Sequence, residues 1–195
     1  MTHRILIHTL AIAATALAMT ACAKAPLVAD AATPSSAAAE PAMGAPQATF
    51  AFVGPAGQPM GTVAIAEDPA GLTLSIAATG LTPGVHGIHL HETGMCEGPA
   101  FASAGKHWNP DSKQHGRDNP AGAHAGDLLN LTADATGSAR TTITIAGVSQ
   151  SAGPMTRADA DGTALVIHAK ADDYKTDPSG ASGDRVACAV VATPR

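Results

Sequence analysis

Gly84-Val-His-Gly-Ile-His-Leu-His-Glu92 sets three histidines, His86, His89 and His91, into an apolar run flanked by turn-forming residues. Apolar residues alternating with histidines over Ile88–His91 read as a β-strand, in which successive side chains point to opposite faces. Residues two apart share a face, so His89 and His91 project side by side while His86, Ile88 and Leu90 point the other way. Two imidazoles at i and i+2 on a rigid strand make half of a metal site. His86, on the opposite face, reads as a structural, hydrogen-bonding histidine.

Further β-like runs lie on either side of this one: Ala48–Val53, Thr62–Glu67, Leu72–Ala78, Val85–Glu92, Asp127–Thr132, Ala139–Ile145, Ala164–Ala169 and Val186–Ala192. Pro55-Ala-Gly57, Asp68-Pro69-Ala-Gly71 and Pro83-Gly84 separate them as turns do, and Asp134-Ala-Thr-Gly137 joins two runs as in a hairpin. No convincing amphipathic helix interrupts them. The expectation is an all-β domain over residues 47–195, an eight-stranded antiparallel Greek-key β-sandwich or barrel of immunoglobulin-like architecture. Two segments break the rhythm, Thr93–Ala125 and Lys170–Asp184. Long loops inside a compact domain are commonly functional, and the first holds three histidines and the one tryptophan, Trp108. Trp108 reads as a packing anchor for that loop.

The bulk properties narrow the partners. Of 195 residues, 45% are hydrophobic but only 3% aromatic, so the core must be built from Ala, Val, Leu and Ile. A net charge of −5 argues against nucleic acid. The N-terminus has the form of an export signal over residues 1–21: Met1–Arg4 is basic, Ile5–Met19 is apolar and Thr20-Ala-Cys-Ala23 supplies small residues. The apolar run is shorter than the ~20 residues that span a bilayer. Met19-Thr-Ala-Cys22 also has the form of a lipobox, which would make Cys22 a lipidated first residue; simple secretion is the alternative. Residues 22–46, rich in Ala and Pro, form a linker or tether. Either route puts the folded part in the periplasm, where disulfides persist. With Cys22 lipidated, Cys96 and Cys188 are left free to pair.

The histidines concentrate the chemistry. Apart from His3 and His8 in the signal, all of them fall between His86 and His168. His107 lies in Gly105-Lys-His-Trp-Asn-Pro110, His115 in Lys113-Gln-His-Gly116, and His124 precedes Asp127 by three residues in His124-Ala-Gly-Asp127. His168 ends the run Thr163-Ala-Leu-Val-Ile-His168. Six imidazoles and a carboxylate exceed one tetrahedral zinc and suit two neighbouring metals. An all-imidazole set with an open position fits copper, and a mixed His/Asp set fits zinc.

These motifs, with Ile167-His-Ala-Lys-Ala-Asp-Asp173 and Asp184-Arg-Val-Ala-Cys188, resemble Cu,Zn superoxide dismutases, and the bacterial periplasmic and lipoprotein forms in particular. The resemblance covers the whole folded domain. It implies copper ligands His89, His91, His107 and His168, and zinc ligands His107, His115, His124 and Asp127, with one copper and one zinc per subunit. His107 is then shared by the two metals. The resemblance further implies Asp172 as a carboxylate linking His89 to His115, Arg185 as the residue that meets the incoming anion, and a Cys96–Cys188 disulfide. The implied activity is dismutation of superoxide to dioxygen and hydrogen peroxide, with Arg185 and His107 as catalytic residues, in extracytoplasmic antioxidant defence. Lys106, Lys170 and Lys175 are candidates for steering the anion.

Superoxide is thus the expected substrate, contact with a membrane is expected only through lipid on Cys22, and a homodimer is a candidate assembly. A non-catalytic metal-binding domain on the same fold would lack a copper ligand or the arginine, and all of these are present. A zinc hydrolase would need a general base beside an open zinc, for which the chain has no signature. Asn130-Leu-Thr132 matches a glycosylation sequon by accident in a bacterial-type export context.

Overall fold

A computed structural model describes residues 47–149 and 160–193. The segment read as a signal, Cys22 and the linker to residue 46 lie outside the described residues. The described chain is all-β. Its strands are β1 (Ala48–Val53), β2 (Pro59–Asp68), β3 (Gly71–Ala78), β4 (Gly84–His86), β5 (Ile88–His91), β6 (Leu131–Ala133), β7 (Ala139–Ala146), β8 (Thr163–His168) and β9 (Arg185–Ala192). Seven form one curled antiparallel sheet in the order β5-β8-β9-β1-β2-β3-β7, and β4 pairs with β6 in a small second sheet. The one helical turn among the described residues is a 3-10 turn at Ala102–Ala104.

Alternation of residue type sets which face is buried. In β3, Leu72, Leu74, Ile76 and Ala78 are buried while Thr73, Ser75 and Ala77 between them are partly exposed. β2 and β7 repeat the pattern, and the register places Ile65 opposite Leu74 and Leu74 opposite Ile143. These cross-strand apolar pairs are the units that stabilise the sheet.

β8 differs, because all six of its residues are buried. Leu165 and Ile167 enter the main core, whereas Ala164 and Val166 enter a second small cluster with Phe101, Ala104 and Cys188 beneath the long loop. β5 pairs with β8 so that His89 opposes Val166 and His91 opposes Ala164. Directly opposed residues share a face. His89, His91 and His168 therefore stand together on the face that the loop covers, and Ile88 and Leu90 face the core. The parity expected from sequence holds.

The strand count differs from eight because Val85–Glu92 is two strands. β4 pairs with β6 and β5 with β8, and the change of partner falls at Gly87. There the Gly87 N–H donates to the Lys170 carbonyl (2.7 Å) and the Gly87 carbonyl accepts from His168 N–H (2.8 Å). A Cβ on Gly87 would lie 3.0 Å from the Ser182 Cβ, so the crossing is packed tightly and a larger residue would push on Ser182. The expected strand Asp127–Thr132 also shrinks, to Leu131–Ala133, because Asp127 is drawn into a tight turn at the histidines.

Cys96 and Cys188 form the disulfide, 92 residues apart. It ties the long loop to the buried middle of β9. Closing a loop of that length restricts the unfolded chain by roughly 4–5 kcal/mol in the chain-entropy description. Reduction is expected to lower the melting temperature by on the order of 10 °C. Calorimetry with and without reductant tests this, and an unchanged transition would refute it.

Candidate metal centre

Two clusters are built on the outer face of β5 and β8. The first joins His89 and His91 of β5, His168 at the end of β8, and His107 from the loop, which makes an isolated bridge to His91. The second joins His107, His115, His124 and Asp127, and within each cluster the ligand atoms lie within 4.8 Å of one another. His107 belongs to both. Trp108, beside it, lies in the main core at 4% exposure and exchanges backbone hydrogen bonds with Leu90 and Gly126, fixing the loop against β5.

In the first cluster each ring has one nitrogen anchored. His91 Nδ1 donates to the Gly105 carbonyl (3.0 Å) and His168 Nδ1 to the Gly183 carbonyl (3.2 Å). His89 Nε2 donates to Asp172 Oδ2 (2.8 Å) and His107 Nδ1 to Asp127 Oδ1 (2.9 Å). The other nitrogen of each ring, His89 Nδ1, His91 Nε2, His107 Nε2 and His168 Nε2, is buried with no hydrogen-bond partner. Buried polar atoms are rarely orphaned, and four at one point call for a shared occupant. Because the anchored nitrogens carry the protons, these four carry lone pairs. Burial lowers the basicity of all four rings, to about 3 for His168 and about 4 for His107, and His91 is held well below the ordinary histidine value. The set stays neutral at physiological pH and offers four imidazole lone pairs. That donor set fits copper.

The second cluster has different chemistry. Asp127 Oδ1 lies 2.9 Å from His107 Nδ1, 2.9 Å from His115 Nδ1 and 3.2 Å from His124 Nδ1. Three donors exceed the two lone pairs of one oxygen. Four ligands around tetrahedral zinc, at ~2.0–2.1 Å from the metal, lie about 3.3 Å apart, close to the spacing found here. Burial works against charge on His115, but hydrogen bonds to Asp127 and Asp172 prevail and raise its pKa to about 9. A zinc ion held here would have to displace the proton on His115 Nδ1.

Asp172 links the clusters, with Oδ2 on His89 Nε2 (2.8 Å) and Oδ1 on His115 Nε2 (3.0 Å). Such a partner fixes tautomer and ring orientation. Arg185 lies at the edge of the first cluster, its Nη1 on the Phe101 carbonyl and its Nη2 on the Gly105 carbonyl, both at 2.6 Å. His86 stays outside both clusters and bonds the carbonyls of His168 (2.7 Å) and Thr82 (2.8 Å). Among the lysines, Lys106 and Lys113 line a cavity with His107 and His124, whereas Lys170 and Lys175 do not line it.

Some participants carried no sequence signal. Asn130, met in the sequon, accepts from Asp172 N–H (3.0 Å) and donates to the Asp172 carbonyl (2.9 Å), clamping that residue's backbone. Asp177 accepts from His115 N–H (2.6 Å).

Residues 60–191 match the family described as copper/zinc superoxide dismutase (SODC). The chain belongs to that family. The Cu-Zn superoxide dismutase of Caulobacter vibrioides is 41% identical over 138 residues, 69% of this chain and 79% of the relative. Superoxide dismutase [Cu-Zn] 2 of Aquifex aeolicus is 40% identical over 137 residues, 69% of this chain and 80% of the relative. The crystal structure of a SOD-like protein from Bacillus subtilis superposes with a TM-score of 0.71 at 40% identity, covering 73% of this chain and 97% of that one. The Cu/Zn superoxide dismutase from Brucella abortus gives 0.59 at 30% identity, covering 74% and 98%. These matches accord with bacterial forms of the family.

Proposed function

We propose that the chain dismutates superoxide, two anions and two protons giving dioxygen and hydrogen peroxide, in extracytoplasmic antioxidant defence. The observation that carries this reading is the convergence of four orphaned imidazole nitrogens beside Arg185. A copper ion held by His89, His91, His107 and His168 would supply the one-electron couple that one superoxide reduces and the next reoxidises. His107, His115, His124 and Asp127 would hold zinc.

Each residue then has a task. Arg185 provides a fixed positive charge where a small anion docks. His107 faces both clusters, with Nδ1 beside Asp127 and Nε2 in the imidazole set, so Nε2 is the atom at which the chain holds and releases a proton for product. Asp172 and Asn130 keep the rings of His89 and His115 aligned. Burial of His89 and His91, each 0% exposed, excludes water from the inner side of the site.

The decisive experiment measures metal content and superoxide consumption of purified protein before and after selective copper removal. Activity is expected to vanish with copper and return on its restoration. Activity indifferent to copper would overturn the reading.

The finer assignments belong to the same proposal. Residues 1–21 act as an export signal, 22–46 as a tether and 47–195 as the catalytic domain, in the periplasm. Lipid on Cys22 anchors it, and homodimers are the assembly form. Cys22→Ser is expected to abolish incorporation of labelled fatty acid, and a label retained in that variant would refute the anchor.

A further inference from the structure

A bulky residue in left-handed conformation stands next to Arg185. Phe101 has φ 53° and ψ 30° and is 1% exposed. Residues other than glycine are uncommon there, and a phenylalanine is a strained choice. Such geometry persists only where the surroundings over-determine it, and it concentrates at functional sites. The surroundings here are the small cluster beneath the loop, where the ring packs with Ala104, Ala164, Val166 and Cys188.

The turn puts that geometry to use. Phe101 and Gly105 flank the 3-10 turn Ala102–Ala104, and Gly105 also has a positive φ, 76°, with an extended ψ of −152°. The Phe101 carbonyl accepts from Ala104 N–H (3.1 Å) and from Arg185 Nη1 (2.6 Å). The Gly105 carbonyl accepts from Arg185 Nη2 (2.6 Å) and from His91 Nδ1 (3.0 Å). The two ends of one short turn therefore hold the guanidinium at two points, and one of those points also holds a ring of the imidazole set. Two of the five N–H donors of the guanidinium are spent on the protein, and its plane is fixed.

We infer that Phe101 is a positioning residue for Arg185: its buried ring locks the left-handed turn whose carbonyl aims the guanidinium at the anion. The inference rests on the anion-docking role of Arg185 proposed above. A β-branched or small residue at this position loses the plug, and the carbonyl is then free to turn away. Misplacement by about 1 Å costs up to ~100-fold in rate.

The test uses metal-loaded Phe101→Ala, Phe101→Leu, Arg185→Ala and the Phe101→Ala/Arg185→Ala double variant. It reads superoxide kcat/KM and the Kd for azide, a small anionic probe. Phe101→Ala is expected to lower kcat/KM about tenfold and weaken azide similarly at full metal content. In the Arg185→Ala background the same substitution is expected to change neither quantity, because its effect passes through the missing guanidinium. A purely structural role would lower thermal stability and leave azide affinity intact. Phe101→Leu refills most of the space and is expected to fall between wild type and Phe101→Ala. Should Phe101→Ala fail to load metal, Phe101→Leu decides: unchanged azide affinity with lowered thermal stability overturns the inference. Equal losses with and without Arg185 also overturn it. If Arg185→Ala itself retains full rate and azide affinity, the docking role fails instead, and that outcome is separate from Phe101→Ala being silent.

Discussion

His168→Ala is expected to lower superoxide turnover by more than ~100-fold while zinc content stays at the wild-type level. Loss of a residue that merely orients a metal ligand already costs ~10–100-fold, and His168 is proposed as a ligand itself. Its Nε2 is one of four buried nitrogens without a partner, and its Nδ1 is held by the Gly183 carbonyl. Alanine removes that lone pair and leaves the copper set with three imidazoles. The fold should tolerate the change, because the backbone contacts of residue 168 remain. Its carbonyl still accepts from His86 Nδ1, and its N–H still donates to Gly87. None of the zinc set, His107, His115, His124 and Asp127, contacts the lost ring through a hydrogen bond. Metal analysis together with a superoxide assay tests both halves of the claim. Retained activity would reject the copper assignment, and parallel loss of zinc would reject the independence of the two sets.

How much of this was legible in the sequence depends on the kind of interaction. The histidine and aspartate clusters were readable because imidazoles and carboxylates are named by residue type, and because His89 and His91 two apart fix a common face. The pairing of Val166 with His89 then gives physical content to that parity. Strand partners were less legible. Val85–Glu92 has one unbroken apolar pattern, yet the chain changes sheets at Gly87, because pattern reports burial and not which strand lies alongside. Least legible were the backbone acceptors. Arg185 was visible as an anion-binding candidate, but the Phe101 and Gly105 carbonyls that hold it could belong to any residue. Asn130 was visible only as a sequon. Its actual task, a two-point clamp on the Asp172 backbone, depends on a contact 42 residues away.

Asp127→Asn should produce the largest combined loss, of zinc and of stability, although it alters a single atom. The carboxylate is fully committed. Oδ1 serves the Nδ1 atoms of His107, His115 and His124, and Oδ2 accepts from the N–H of Gly116 (2.9 Å) and of His124 (3.0 Å). An amide has only one acceptor oxygen, so either the rings or the two backbone donors face an NH₂ group. Each buried donor left unpaired costs about 1–3 kcal/mol. Zinc affinity is expected to fall by well over ~100-fold, because a proposed ligand and its charge are both lost.

The pH dependence of the metal-free protein gives an independent check. Burial alone would raise the Asp127 pKa, but hydrogen bonds from His107, His115 and Gly116 hold it far below the ordinary carboxylate range. That stabilisation is present above the unfolded pKa of about 3.9 and is lost as pH falls further. His115 acts at the other end. Its pKa rises from 6.5 to about 9, so its contribution is complete below 6.5 and is lost as pH climbs through about 9. In Asp127→Asn one of the two carboxylates that raise it is gone and only Asp172 remains. Above about pH 7.5 the rings of His89, His91, His107 and His168, whose pKa values burial lowers, are neutral in folded and unfolded chains alike. Wild-type metal-free protein should therefore lose stability between about pH 7.5 and about pH 10, and the variant should lose less over the same interval. Denaturant midpoints at those two values measure the difference. Equal slopes, or zinc bound as tightly by the variant as by wild type, would show that Asp127 is not the charge that organises the loop histidines.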